Sequence, residues 1–397
     1  MPASIVTIGP KTSCFSPDRS RRGSMQRIPD VSMPANPWKP APWTDVDTGP
    51  LEGRLHPWVM PLRSPWPGRH GPIEKTHGWR LGLQARDGRT GWGEAVYPPG
   101  GGERALPLYS SLAALVEAGR GHPAAWWTRH LEALPAPARL ALETALLDLA
   151  AQAAGRPLAQ YLAPGAVAQV DVNAPAGGLD EGLEARLRAA RAAGYRVAKV
   201  KLGRRPVAEE LGRLRRLRVP EGLALRFDAN RAWSPSEAER MLHALAEAHW
   251  PVEACEEPLA DPEPGRLARL QSVLPFDLAL DESLHDRYLA LSPASLPVRR
   301  VVLKPARLGG LRRALAWAEA ARAAGRTVVF TSWLEGPTGL RALVHLAAAW
   351  GRGVHGLGTA AWFAQPDPEL LPRQGRLSVP QGPGLGGGGV QGRSYGK

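Results

Sequence analysis

The chain has 397 residues, 44% of them apolar, and two cysteines, enough to bury a large core in two domains with tails. No run of about 18 apolar residues suits a transmembrane helix, no hydrophobic leader is read at the N-terminus, and Cys14 with Cys255 cannot build a disulfide framework or a multi-thiolate metal site, so a cytoplasmic location is expected. Of the net charge of +13, residues 1–40 and 371–397 supply +8, and the rest intersperses Arg with Glu without a zinc-finger, aromatic RNA-binding or basic-zipper pattern, so neither nucleic acid nor a membrane is an expected partner.

Residues 1–40 mix Ser, Pro and Arg with little apolar periodicity and read as a disordered basic tail, with Met25 and Met33 as alternative starts. From about 41 to 100 the signals are strands and turns: Gly78 to Gln84 alternates, Asp87-Gly88 marks a hairpin and Thr90 to Val96 returns. Helical periodicity is clearest from Ala138 to Ala154, where Leu142, Ala145, Leu146 and Leu149 make an apolar stripe that Gly155 stops. From about 167 the pattern changes to short apolar strands separated by Ala/Arg/Glu-rich helices, with strand ends near Asn173, Lys201, Asp228, Glu256, Asp281, Lys304, Ser332 and Leu357. Steps of 23 to 28 residues between those ends suit one βα unit each. Eight such units predict a (β/α) barrel near the lower size limit. An open doubly wound sheet is the alternative, but Ala174-Pro175-Ala176-Gly177-Gly178 is a poor phosphate-binding turn. The Gly-rich end reads as flexible.

Seven lysines stand against 43 arginines, and between Lys75 and Lys397 only Lys199, Lys201 and Lys304 remain. A desolvated lysine can lose its proton whereas arginine cannot, and all three lie in apolar runs where an unpaired cation is costly. Lys199 and Lys201 are two apart on a strand, so both side chains point the same way. Arg226, Asp228 and Asn230 share a face by the same rule, and later strands end in Glu256-Glu257-Pro258, Asp281-Glu282-Ser283 and Lys304. In a barrel, Asp228, Glu256 and Asp281 converge at the C-terminal mouth, where oxygen-only ligation suits Mg²⁺ rather than zinc. The plainer alternative is that each acid caps a helix or pairs with arginine. With a metal holding a carboxylate substrate, the chemistry inferred is α-proton abstraction by lysine. Lys199, at about 6 Å, would repel Lys201 by roughly 2 to 3 kcal/mol and lower its pKa toward a useful base. Ser332 and the backbone near Gly356 could receive a second polar group of the substrate. His355 shows no carboxylate partner and is not favoured as an acid/base.

The set Lys199-Val200-Lys201, Asp228-Ala229-Asn230, Glu256-Glu257-Pro258, Asp281-Glu282-Ser283 and Lys304-Pro305 resembles the muconate-lactonizing subgroup of the enolase superfamily. The likeness runs over roughly residues 55 to 386, including Gly91-Trp92-Gly93-Glu94-Ala95, and is strongest to the members that form o-succinylbenzoate. It implies an α/β fold, a (β/α)7β barrel with an N-terminal α+β capping domain. The expected divisions are a tail at 1–40, cap at 41–165, barrel at 166–360, a return segment packing on the cap at 361–386 and a tail at 387–397. It also implies Mg²⁺ on Asp228, Glu256 and Asp281; Lys201 as the base; Lys304 as a stabilising cation on the opposite face; and Lys199 as electrostatic support. Ser332, Gly356 and Arg226 become substrate contacts, and Asn230 and Glu282 lie behind the metal site. Loops around Ser64 to Pro72 and Pro98 to Glu103 would close over the ligand.

The implied reaction is a lyase step, syn dehydration of a succinyl-hydroxycyclohexadiene carboxylate to o-succinylbenzoate on the way to menaquinone or phylloquinone, in a possible homo-oligomer. An N-acylamino acid racemase or dipeptide epimerase is the nearest rival, and a catalytically silent binding barrel is the rival from another class. Gly336-Pro337 stands where many relatives carry serines.

Overall fold

The structure is a computed structural model, which describes residues 48–68, 71–97 and 105–386. The expectations for residues 1–40 and 387–397 and for the loop Pro98 to Glu103 lie outside the described residues, as do positions 69–70 of the Ser64 to Pro72 loop.

The described residues begin with the strands β1 (Pro50–Gly68), β2 (Gly71–Gln84) and β3 (Thr90–Val96), and β4 (His122–Pro123) follows the helix Ala105–Ala118. They form an antiparallel sheet in the order β3-β2-β1-β4. The β2–β3 hairpin turns where Gly88 takes φ +88°, a conformation that favours glycine. The register of β1 on β2 shifts between Pro61 and Trp66, and beyond the shift Trp66 stacks on Trp362 with ring centroids 4.1 Å apart. The β1–β2 hairpin is thereby tied to the turn Gly358–Trp362 at the rim of the barrel.

Behind the sheet runs the helix Ala136–Ala153. The predicted stripe of Leu142, Ala145, Leu146 and Leu149 packs into the core beneath the sheet, while Leu140, Leu147 and Ala151 join the barrel's core. A single stripe describes half of this helix, because it is sandwiched between two layers. Strand β3 approaches it so closely that a Cβ on Gly93 would lie 1.8 Å from the Ala141 carbonyl oxygen, and one on Gly91 2.1 Å from that of Ala145. Glycine is required at both places. The amide of Trp92, between them, donates to Asp148 Oδ2 at 2.8 Å.

After β5 (Gln169–Asp171), seven parallel strands follow: β6 (Ala174–Gly178), β7 (Val197–Lys201), β8 (Ala224–Asp228), β9 (Val252–Glu256), β10 (Asp277–Leu280), β11 (Arg300–Leu303) and β12 (Thr327–Phe330). They lie side by side in sequence order. The first begins at Ala174, just beyond its predicted end at Asn173, because the residues before that end form the separate strand β5. The predicted strand ending near Leu357 contributes only two bridged residues: His355 pairs with Val172, and Gly356 with Thr331. Those bridges close the barrel, giving the capped (β/α)7β architecture. Strand β13 (Arg376–Ser378) pairs antiparallel with β5.

One connection departs from expectation. After β10 the chain makes a π-type turn, Leu284–Tyr288, and a 3-10 turn, Pro293–Ser295, in place of an α-helix. Pro293 and Pro297 keep this turn from continuing as a helix toward β11. The chain then returns from the barrel to the helix Ala136–Ala153, where the Leu385 amide donates to Asp148 Oδ1 at 2.8 Å.

Candidate active site

The polar residues singled out in the sequence collect at the C-terminal ends of β7 to β11. Lys199 and Lys201 project from β7 as the two-residue period requires. Asp228 and Glu256 close β8 and β9, and Asp281 and Lys304 follow β10 and β11. All three acids are buried, with 1% of Asp228, 2% of Glu256 and 5% of Asp281 exposed.

The lysines are paired with the acids. Lys199 Nζ lies 2.9 Å from Asp228 Oδ2 and 2.5 Å from Glu256 Oε2. Lys201 Nζ donates to the same Asp228 Oδ2 at 2.6 Å and to Asn230 Oδ1 at 2.7 Å. Lys304 pairs with Asp281. Asn230 in turn donates from Nδ2 to Glu282 Oε1 at 3.1 Å. Asn230, Arg231 and Glu257 have φ between 46° and 62°, a conformation costly for residues with a Cβ.

The charges explain one another. Burial works to raise Asp228, but Lys199 and Lys201 overcome it and hold its carboxyl well below the usual range. Burial likewise opposes the lowering of Asp281 by Lys304 and Lys199. Glu256 is pushed up by burial; Lys199 offsets this in part, and the charges of Asp228 and Asp281 add to it. Lys199 would be lowered by burial, yet Asp228, Glu256 and Asp281 raise it above the ordinary lysine value.

That pattern corrects one expectation. Lys199 does not face Lys201 as a bare repelling cation, because its charge is compensated by two carboxylates, one of them shared with Lys201. The three acids are each engaged by a lysine. Among the described residues no three acidic, His or Cys side chains are arranged to hold a metal ion as they stand, because the Lys199 ammonium bridges Asp228 and Glu256 while Lys304 engages Asp281.

The donor set nevertheless fits a hard divalent cation. It consists of carboxylate oxygens on successive strands, and Glu256 is disfavoured as an anion first by burial and then by the charges of Asp228 and Asp281, a penalty that a cation relieves.

Three predicted substrate contacts fare differently. Arg226 lies one layer below Asp228, is 2% exposed, and is gripped by Glu253 through Nε at 2.8 Å and Nη2 at 3.0 Å. Arg300 Nη1 joins the same Glu253 at 2.7 Å. Arg226 thus belongs to an ion network inside the barrel rather than to the mouth. The Gly356 amide is spent on Phe330 O at 2.9 Å and its carbonyl accepts from Ser332 N at 3.2 Å, so this residue's backbone serves barrel closure. Ser332 Oγ donates to Glu335 Oε2 at 2.7 Å and accepts from Thr359 Oγ1 at 3.0 Å. His355, which the sequence reading set aside, accepts the Phe330 amide on Nδ1 at 3.1 Å, and burial lowers its pKa to about 3.

Two residues escaped the sequence reading. Glu257 accepts the amides of Asp281 at 2.6 Å and Ser283 at 2.8 Å as well as the Ser283 hydroxyl at 2.6 Å, which fixes the segment bearing Asp281. Burial and then the charge of Glu282 push Glu257 up to about 8. Glu335 is fully buried beside Ser332 and accepts the Trp333 amide at 2.6 Å. The Glu257-Pro258 and Asp281-Glu282-Ser283 strings were visible, but only their approach across β9 and β10 reveals the clamp.

A capped barrel with carboxylates and lysines on consecutive strand ends defines a class of α/β-barrel enzyme. The chain belongs to the enolase C-terminal domain-like family, whose model matches residues 182–387. It is 32% identical over 251 residues to the o-succinylbenzoate synthase of Desulfotalea psychrophila, covering 60% of this chain and 66% of that protein. It is equally 32% identical over 263 residues to muconate cycloisomerase 1-2 of Acinetobacter lwoffii, covering 63% of this chain and 66% of the relative. The matched stretch thus spans just under two thirds of these curated relatives. Among solved structures, the substrate-liganded L-Ala-D/L-Glu epimerase from Bacillus subtilis superposes with a TM-score of 0.74 at 23% identity, over 84% of this chain and 97% of that one. Members of the superfamily generally bind Mg²⁺. Among the described residues no helix is long and apolar enough to cross a membrane.

Proposed function

We propose that the protein dehydrates 2-succinyl-6-hydroxy-2,4-cyclohexadiene-1-carboxylate to o-succinylbenzoate. The observation that carries the reading is the placement of Lys201 and Lys304 at opposite ends of the row Asp228, Glu256, Asp281, so that a carboxylate substrate held over the row has an amine on either side. Mg²⁺ on the three acids would supply the positive charge that holds the substrate carboxylate and stabilises the negative charge developing as the α-proton leaves.

The protein's own groups do the rest. Lys201 takes the α-proton from carbon. The electron pair left behind moves into the ring as the hydroxyl on the same face departs, and the proton held on Lys201 Nζ leaves with it as water, aromatising the ring. Lys304 remains a cation on the far side, where its pairing with Asp281 holds it above the ordinary lysine value against the effect of burial. Asn230 orients Lys201 through its side-chain oxygen at 2.7 Å. The identity of 32% to an o-succinylbenzoate synthase supports this substrate, and the equal identity to a muconate cycloisomerase makes the substrate the point to test.

The test is turnover of the cyclohexadiene carboxylate with Mg²⁺ and with EDTA, beside racemisation of an N-succinylamino acid. Metal-dependent dehydration without racemisation is the expected result. Racemisation alone would overturn the substrate and favour the two-lysine racemase chemistry.

A further inference from the structure

We propose that Glu94 and Thr76, both on the cap sheet, are positioning residues for the loop that follows β12, holding Ser332–Gly336 in the shape in which it lines the substrate site. The proposal rests on the location of the site argued above.

The loop cannot hold that shape cheaply by itself. Leu334 has φ +64°, a left-handed conformation that a side chain with a Cβ adopts only where its surroundings impose it. Within the loop, Ser332 Oγ accepts the Leu334 amide at 3.0 Å, and Glu335 Oε2 accepts the Ser332 hydroxyl and the Trp333 amide. These bonds tie the loop to itself. Two others tie it to the cap. The Thr76 hydroxyl donates to the Leu334 carbonyl at 3.0 Å, and Glu94 Oε1 accepts the Gly336 amide at 2.6 Å. They fall on either side of Glu335, and the first holds the strained Leu334 itself.

The sequence around both partners is shaped for this contact. Gly336 and Gly339 stand at the start of the helix Pro337–Trp350, whose unpaired amides and dipole favour an acid. A Cβ on Gly336 would lie 2.9 Å from Glu94 Oε2, and one on Gly339 2.8 Å from Oε1. The glycine at 336 makes room for the cap's carboxylate. On the other side, Gly91 and Gly93 seat β3 against the helix Ala136–Ala153 and so fix where Glu94 enters. The Gly-Trp-Gly-Glu run thus places a carboxylate of the cap into a barrel loop.

Thr76 and Glu94 act through the loop, and with the reaction proposed above the loop's Ser332 would meet the end of the substrate away from the departing proton. Loosening it weakens ground-state and transition-state binding alike, which raises KM and leaves kcat near its original value. The test compares Thr76→Val, Thr76→Ser and Glu94→Ala with the parent, full-length and Mg²⁺-loaded, by hydrogen–deuterium exchange and by steady-state dehydration kinetics. Loss of one buried hydrogen bond should speed exchange of the amides of residues 333–339 about tenfold in Thr76→Val and Glu94→Ala. Amides of β7 to β10 should be unchanged, KM should rise several-fold with little change in kcat, and Thr76→Ser, which keeps the hydroxyl, should match the parent. Unchanged exchange at 333–339 in Thr76→Val overturns the proposal, and so does faster exchange with unchanged KM. Thr76→Val removes a single hydroxyl and decides the matter even if Glu94→Ala does not fold. A parent protein that turns over no cyclohexadiene carboxylate overturns the reaction assigned above, and the exchange result alone then upholds or overturns the positioning role.

Discussion

Lys199 offers a way to weigh the electrostatics of the strand-end carboxylates apart from catalysis. Methionine keeps most of the lysine stem and removes its charge. Lys199 Nζ is 2.9 Å from Asp228 and 2.5 Å from Glu256, both almost fully buried. Removing one partner of a buried ion pair costs about 3 to 5 kcal/mol. Lys201 still reaches Asp228 at 2.6 Å, so the lower end, about 3 kcal/mol, applies to Lys199→Met. For roughly 330 folded residues the unfolding entropy is about 0.7 kcal/mol per kelvin, and the Tm should fall by about 4 °C.

The pH window follows from the two shifts. Asp228 is depressed in the folded state, so its contribution is present above the ordinary carboxylate value and is lost as pH falls toward the folded one. Lys199 is raised, so its contribution is complete below the ordinary lysine value and is lost as pH climbs through the folded one. The deficit in Lys199→Met should therefore be full between about pH 5 and about pH 10. The assay is calorimetric unfolding at pH 8 in EDTA and again with excess Mg²⁺, which should shrink the deficit by supplying the missing charge. An unchanged Tm in EDTA, or a deficit of the same size with Mg²⁺, would refute the reasoning.

Burial pushes Glu143, on the helix Ala136–Ala153, up to about 7. The folded protein therefore binds a proton that the unfolded chain has released, and this group's contribution falls as pH rises from about 4.5 to about 7, by up to roughly 3 kcal/mol. Glu143→Gln keeps an oxygen for the amides of Leu311 and Arg312, at 2.5 and 3.3 Å, and its Tm relative to the parent should climb across that range. A parallel pair of Tm–pH curves would contradict this. Gly93→Ala forces a Cβ to within 1.8 Å of the Ala141 carbonyl, and should destabilise by about 3 kcal/mol or more, read as a lower urea midpoint with unchanged m; an unchanged midpoint would show that β3 can move off the helix.

Much of the barrel was legible because each strand is short, apolar and closed by a polar residue at a regular step, and Lys199, Lys201, Asp228, Glu256, Asp281 and Lys304 all stand at such ends. The connection after β10 is not the helix its composition predicts: the Leu and Ala residues before Pro293 suit a helix, while Pro293 and Pro297 keep one from running on toward β11. The period of two placed Arg226 on the same face as Asp228 correctly, but a shared face does not give depth, and depth separates a mouth residue from one locked to Glu253. The roles of Glu257 and Glu94 could not be read along the chain, since each accepts amides from a different strand or loop and its neighbours in sequence carry no trace of that partner; the partners of Glu335 are local, and what the chain did not show is its burial.

The most direct test of the account is Lys201→Arg, measured for Mg²⁺ affinity by calorimetry and for turnover of the cyclohexadiene carboxylate. Arginine keeps the positive charge beside Asp228 but cannot accept the proton. The account predicts Mg²⁺ affinity within a few-fold of the parent and a loss of turnover of at least about a thousandfold. Substantial remaining turnover with Mg²⁺ bound would contradict the assignment of Lys201 as the base.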